Sequence, residues 1–235
     1  MISANPKPIS IEKYEMLLQQ AGDSGYEIEF QKSNHRLLIK SGEDWLAQVF
    51  LPWDCKPDAS GLLSKIDDFH LGLVMIRAGI ACTGHFHEGL MQDHKVFRAY
   101  MVRQKQGKSQ LKYLKTKGKS RAGSRLRLGE SERFFEEINQ RLQQYEENYA
   151  ITTWGISCGK TLWPYFFGGE TPPPFDKKDP RILSVPFHVQ QPDFQTLQEI
   201  HQKVSGVHLI FSGKGEKVFD LNIIKPSIDQ TEDDW

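Results

Sequence analysis

A chain of 235 residues can bury one large core or two small ones without metal or disulfide staples. Apolar residues at 38% and charged residues at 26% fit a folded globular protein and exclude wholesale disorder. Thirty basic and thirty acidic side chains cancel, so the average charge predicts no anionic partner. The longest aliphatic stretch, residues 71–76 with one glycine, is too short to span a bilayer. Residues 1–10 lack the apolar run of a secretory signal. Cys55, Cys82 and Cys158 stand apart with no C-x-x-C pair, which argues against a cysteine zinc site and fits a reducing cytoplasm.

The first element reads as a helix capped by Ser10, with Ile11, Tyr14, Leu17 and Leu18 as its apolar stripe and Gly22 past its end. Short strands over 26–30, 35–39 and 45–51 follow, separated by Ser-Asn and Ser-Gly-Glu-Asp turns, which suggests an antiparallel meander. Residues 58–66 read as a short helix or a linker. Aliphatic and aromatic runs at 71–77, 80–86 and 96–102 predict strands of a second, larger sheet. Residues 104–127 hold many lysines and few large apolar side chains, and read as an exposed loop. A strong helix follows, with Ser131 as N-cap, Glu132 in the first turn, and Phe134, Phe135, Ile138, Leu142, Tyr145 and Tyr149 as its core stripe. A strand at 151–157 and a stiff turn at 171–174 come next. A last helix, capped by Asp193, turns Phe194, Leu197, Ile200 and Val204 inward. A strand at 207–211 and an acidic tail complete the chain. This mixture predicts an α/β domain with a mixed sheet.

The neutral average conceals a sharp segregation. Residues 98–127 hold eleven basic side chains and no acid, so this segment is +11 and the other 205 residues sum to −11. Such a block repels itself unless a polyanion neutralises it, and binding nucleic acid would release counterions. Gly107, Gly118 and Gly123 let the backbone approach a partner closely. The plainer alternative is a solvated loop without a partner. A membrane-surface role would want apolar anchors, and only Leu111, Tyr113 and Leu114 could serve, so no membrane partner is expected.

The basic segment contains Val102-Arg-Gln-Lys-Gln-Gly-Lys-Ser-Gln110 and Lys117-Gly-Lys-Ser-Arg-Ala-Gly-Ser-Arg-Leu-Arg127. Downstream stand Phe166-Phe-Gly-Gly169, Lys177-Lys-Asp-Pro-Arg181 and Val185-Pro-Phe187. This ordered set, over roughly residues 69–206, resembles the VLRF domain, the release-factor-like peptidyl-tRNA hydrolase domain of ribosome quality control, in a bacterial stand-alone form. The resemblance implies an RNase-H-like mixed sheet with flanking helices, similar to the middle domain of eukaryotic class-I release factors. A small N-terminal α+β region precedes it. The expected divisions are 1–66 for that region, 67–212 for the release-factor-like domain with its basic loop 98–127, and 213–235 for a C-terminal extension.

The resemblance further implies action on peptidyl-tRNA held by a ribosome or large ribosomal subunit, with the stalled chain freed by cutting at or near the tRNA 3′-CCA end. The family's required glutamine matches Gln110, its first loop glycine Gly107 and its serine Ser109. Lys108 stands at the second loop glycine, which narrows the loop's backbone conformations. The S-A-G-S element is Ser120-Arg-Ala-Gly-Ser124, one residue longer or differently registered. RNA contacts are expected from Arg103, Lys105, Lys108, Lys112, Lys115, Lys117, Lys119, Arg121 and Arg125, which grip phosphates without reading bases. No cofactor, no metal and no DNA partner are expected, and the location is cytoplasmic.

Glutamine does not titrate, so Gln110 would position a water or ribose hydroxyl, or stabilise developing charge. Ester hydrolysis and cutting of the RNA backbone both remain open. The alternatives are a non-catalytic ribosome- or tRNA-binding factor of the same fold, and a general RNA-binding domain. Three further patterns carry less. Gly155-Ile-Ser-Cys-Gly-Lys-Thr161 has three residues between its glycines where a phosphate loop needs four. His85, His87 and Glu88 would need further metal ligands, with His94 a candidate. Asp67 and Asp68 lack a second acidic pair.

Overall fold

Leu37 and Ile39 are buried while the residues between and beside them are not, the period-two signature of a sheet packed on one face. The computed structural model describes residues 6–99 and 119–219, with side chains omitted for 119–131. Among these, 6–67 with 200–219 form one compact unit, and 68–99 with 119–199 form a second. The sequence had placed 67–212 together; here the boundary falls inside a helix, α4 (Phe194–Val204).

The first unit is a five-stranded antiparallel sheet of β1 (Lys7–Ile9), β2 (Glu27–Gln31), β3 (Arg36–Ser41), β4 (Asp44–Phe50) and β12 (Val207–Phe211), in the order β1-β12-β4-β3-β2. The meander is therefore as expected, but the strand at 207–211 completes this sheet rather than the larger one. Helix α1 (Ile11–Asp23) begins at Ser10, whose side chain accepts from the Lys13 amide. Its Tyr14, Leu17, Leu18 and Ala21 form a core with Leu37, Ile39, Ala47, Val49 and Leu209. Residues 58–66, read as helix or linker, instead close a hairpin of β5 (Cys55–Pro57) and β6 (Leu63–Lys65). The Asp58 carboxylate caps its turn by accepting from the amides of Ser60 at 2.8 Å and Leu62 at 3.0 Å.

Burial holds the imidazoles of His35, His201 and His208 in this unit below their ordinary range. His35 donates from Nε2 to the Pro52 carbonyl at 2.9 Å and stays neutral. Below about pH 6.5 the unfolded chain takes up protons that the folded chain refuses, so stability falls with pH. Each histidine contributes at most about 1.4 kcal/mol per pH unit below that point. Urea unfolding at pH 7.5 and 5.5 should show the midpoint drop, and His35→Gln should flatten the dependence.

The second unit is built on β7 (His70–Arg77), β8 (Ile80–His87), β9 (Leu90–Arg98), β10 (Thr153–Cys158) and β11 (Ile182–Ser184), in the order β11-β10-β7-β8-β9. β8 is antiparallel to both its neighbours, while β10 and β11 run parallel to β7. Three meandering strands, a helix, and two parallel strands added on the far side of the first form the expected RNase-H-like mixed sheet. The third strand starts at Leu90, six residues before its predicted start, because its polar edge-strand sequence carries little apolar signal.

Helix α2 (Lys119–Asn148) joins β9 to β10. Its Phe134, Phe135, Ile138, Leu142 and Tyr145 pack with Val74, Ile76, Ala81, Phe97, Trp154 and Ile156. The sequence reading ends the basic loop at 127 and caps the helix at Ser131; the helix starts thirteen residues before Glu132, at Lys119. Lys, Arg, Ala and Leu in 119–128 are strong helix formers, but they carry no core stripe for a periodicity search to find. On the other face Leu197 of α4 packs against Gly84. Asp193 caps α4 by accepting from the Thr196 amide at 2.9 Å. Phe194, expected inside, is 40% exposed and lies 4.4 Å from the His94 ring.

Gly72 is fixed by packing. A Cβ there would sit 2.4 Å from the ring of Trp154, which is fully buried. Gly72→Ala should cost about 1–3 kcal/mol through overpacking, visible as a lowered thermal midpoint.

Candidate functional site

The basic segment is rooted in the second unit. It leaves at the end of β9, where the Ala99 amide donates to the Gly79 carbonyl at 2.9 Å and Arg98 pairs with Ile80. It returns as the first turns of α2, which carry Lys119, Arg121 and Arg125. Gly107, Ser109 and Gln110 lie outside the described residues, as do Arg103, Lys105, Lys108, Lys112, Lys115 and Lys117. The described structure thus defines the two anchors of the candidate site.

The strand and the later turns of the helix that carry these anchors are tied into the second unit. At the β9 end, the Lys95 ammonium lies 4.9 Å over the Phe97 ring, and Phe97 is itself core. Arg77, at the same end of the sheet, donates to the carbonyls of Val189 at 2.9 Å, Ile76 at 2.9 Å and Ser157 at 3.3 Å. Those bonds make it a brace for the sheet end.

Along α2, Asn139 is fully buried and its Nδ2 donates to the carbonyls of Phe166 and Thr171, both at 2.8 Å. Gln143 donates to the Pro172 carbonyl at 2.7 Å, and the Glu136 carboxylate accepts the Thr171 amide at 2.9 Å. Gly169 makes room for that carboxylate, because a Cβ there would lie 2.4 Å from Glu136 Oε1. At the far end of α2, Arg181 pairs with Glu146 at 2.7 Å and Asp179 at 2.9 Å, and also donates to the Ile151 carbonyl at 3.2 Å. The Phe166–Gly169 turn and the 177–181 motif therefore clamp the helix that presents the basic segment; α3 (Trp163–Phe167) belongs to the same clamp.

Burial pushes the thiols of Cys55 and Cys158 up to about 11 and that of Cys82 up to about 12. All three are protonated at neutral pH, so none offers a thiolate nucleophile.

The histidines arrange themselves differently from the sequence reading. His85 is fully buried, and burial pushes its imidazole down to about 4. His94 sits opposite Gly84 on β9, beside Phe194. The group that converges is Asp68, His70 and His87. His70 was missed, although the two-residue turn Ala78–Gly79 alone places it opposite His87.

No described helix is long and apolar enough to cross a membrane. Two curated relatives, the tRNA endonuclease ANKZF1 of Bos taurus and that of Homo sapiens, are 30% and 29% identical over 142 residues. The match takes in 55% of this chain and 19% of each relative, so the chain spans about a fifth of their length. Among solved structures, the Vms1 mitochondrial localization core aligns at 13% identity with a TM-score of 0.43, over 88% of this chain and 85% of that one. The family described as the Bacteroidetes VLRF1 release factor matches residues 71–211, from the first strand of the larger sheet through the basic segment and its clamped helix to β12. With the match covering well over half of its length, the chain belongs to the Bacteroidetes VLRF1 release factor family.

Proposed function

We propose that this protein is a cytoplasmic, ribosome-associated factor that frees stalled nascent chains by cutting peptidyl-tRNA at or near the tRNA 3′-CCA end. The observation that carries this reading is the acid-free +11 segment 98–127, running from the end of β9 into the first turns of α2 in a release-factor family member. Lys119, Arg121 and Arg125 lie in the N-terminal turns of a 30-residue helix whose first turn holds no acid. The helix dipole disfavours cations there, and a phosphate backbone relieves both the dipole and the mutual repulsion. Arg103, Lys105, Lys108, Lys112, Lys115 and Lys117 extend the same grip along the acceptor end of the tRNA.

Gln110, with Gly107 and Ser109 shaping its loop, supplies the amide at the scissile group. It orients the attacking hydroxyl and stabilises charge as it develops. The curated relatives are named tRNA endonucleases, which favours a bond in the RNA. In that reaction a ribose 2′-hydroxyl attacks the adjacent phosphodiester, and the 5′-oxygen leaves.

The direct test incubates the protein with stalled ribosome–nascent-chain complexes and follows release, with the 3′ end of the RNA mapped to identify the bond cut. Lys108 favours a second reading, a non-catalytic binding factor, because it removes the freedom of the second loop glycine. Ribosome co-sedimentation without any release would select that reading.

A further inference from the structure

The turn between β7 and β8 sets His70 opposite His87 and Gly72 opposite His85, and alternation puts all three imidazoles on the α2 face. The rings form a stack. His70 lies 4.1 Å from His87 and 5.2 Å from His85, with interplanar angles of 9° and 3°. The Tyr149 ring lies 3.9 Å from that of His85.

Asp68 enters this group from a left-handed backbone conformation, φ 52°. Its neighbour Phe69 is gripped on both sides by Glu88, which accepts the Phe69 amide at 2.7 Å and donates its own amide to the Phe69 carbonyl at 3.1 Å. Asp68 Oδ1 then lies 3.2 Å from His70 Nε2 and 2.9 Å from His87 Nε2, and the three ligand atoms are all within 4.8 Å of one another.

We propose that Asp68, His70 and His87 form a binding site for a divalent transition cation of the zinc type, with at least one coordination position left to water. Two imidazoles and a carboxylate are the donor set of borderline-soft divalent ions, whereas calcium and magnesium ask for more oxygen ligands. Ligand bonds of about 2.0–2.1 Å in a tetrahedron put neighbouring ligand atoms about 3.3 Å apart. The observed separations from Asp68 need open by only a few tenths of an ångström, with the stacked rings splaying slightly. The Asp68 and His87 side chains are 75% and 38% exposed, so an ion can enter and keep water ligands.

A buried partner behind the ligands supports the assignment. His85 Nε2 lies 3.0 Å from His70 Nδ1, and His85 is 0% exposed. With an ion on His70 Nε2, the Nδ1 proton of His70 is donated to His85, which holds ring and tautomer in the ligating state. His85 Nδ1 has no hydrogen-bond partner among the described residues. Among the described residues the one side-chain hydrogen bond of His85 is thus to His70, which ties this buried ring to the orientation of a ligand.

The group sits at the end of the sheet where β7 begins. The basic segment leaves from the other end, at Arg98, about 25 Å away along eight strand residues. The ligands are none of the residues assigned to cleavage, and metal binding itself is the readout.

Chelator-stripped full-length protein should bind one equivalent of Zn²⁺ in competition with a chromophoric chelator. Cobalt(II) should give the intense visible absorption of a low-coordinate site. Asp68→Asn and His87→Ala, both at solvent-reached positions, should weaken Zn²⁺ binding at least about tenfold, and His85→Ala by about 10–100-fold. His94→Ala, outside the group, should match wild type. Circular dichroism confirms that each variant is folded. Wild-type affinity no greater than that of the Asp68→Asn/His87→Ala double variant would overturn the assignment, as would an equal loss in His94→Ala.

Discussion

Gln110→Ala should lower nascent-chain release by about 10²- to 10³-fold, the usual cost of removing one preorganised donor from a developing charge. Ribosome association should stay close to wild type, because glutamine adds no charge to the phosphate grip. The two measurements belong together, release in a single-turnover assay and binding by co-sedimentation. Gln110→Glu is the sharper companion. It keeps the size and the acceptor, removes the amide donors, and places a negative charge beside the phosphates. It should therefore be at least as impaired as alanine. Equal release by wild type and Gln110→Ala would remove this residue from the mechanism while leaving the binding proposal standing.

Replacing Lys112, Lys115 and Lys117 together by glutamine should weaken tRNA binding on the order of a hundredfold near 0.1 M salt. Each phosphate contact contributes about 0.7–0.9 to the slope of log affinity against log salt, so the triple variant should flatten that slope by about 2–3. The loss should be uniform across tRNA sequences, since phosphate contacts read no bases. An unchanged slope would place these three lysines away from the phosphates. Release at saturating protein should survive better than affinity, which separates grip from chemistry.

Local chemistry alone indicated much of this protein. The acid-free run 98–127, the cap at Ser10, the cap at Asp193 and the core stripe Phe134–Tyr145 are all visible within a few neighbouring residues, because charge, capping and helical periodicity act over that range. The ordered motifs named the family before any fold was drawn. Yet two of the matched motifs, Phe166–Gly169 and Lys177–Arg181, serve as clamps on α2, and only the partners Asn139, Glu136 and Glu146 reveal it.

Long-range pairing was the part that local patterns could not supply. Val207–Phe211 read as a strand, but its place between β1 and β4 depends on neighbours about 160 and 200 residues earlier in the chain. The first turns of α2 escaped notice because a helix without an apolar stripe has no periodicity to detect. The convergence of Asp68, His70 and His87 required the register of one hairpin and a left-handed residue before it. Charge and capping are properties of a segment; which strand lies beside which, and which side chains then meet, is settled only when distant apolar surfaces are buried together.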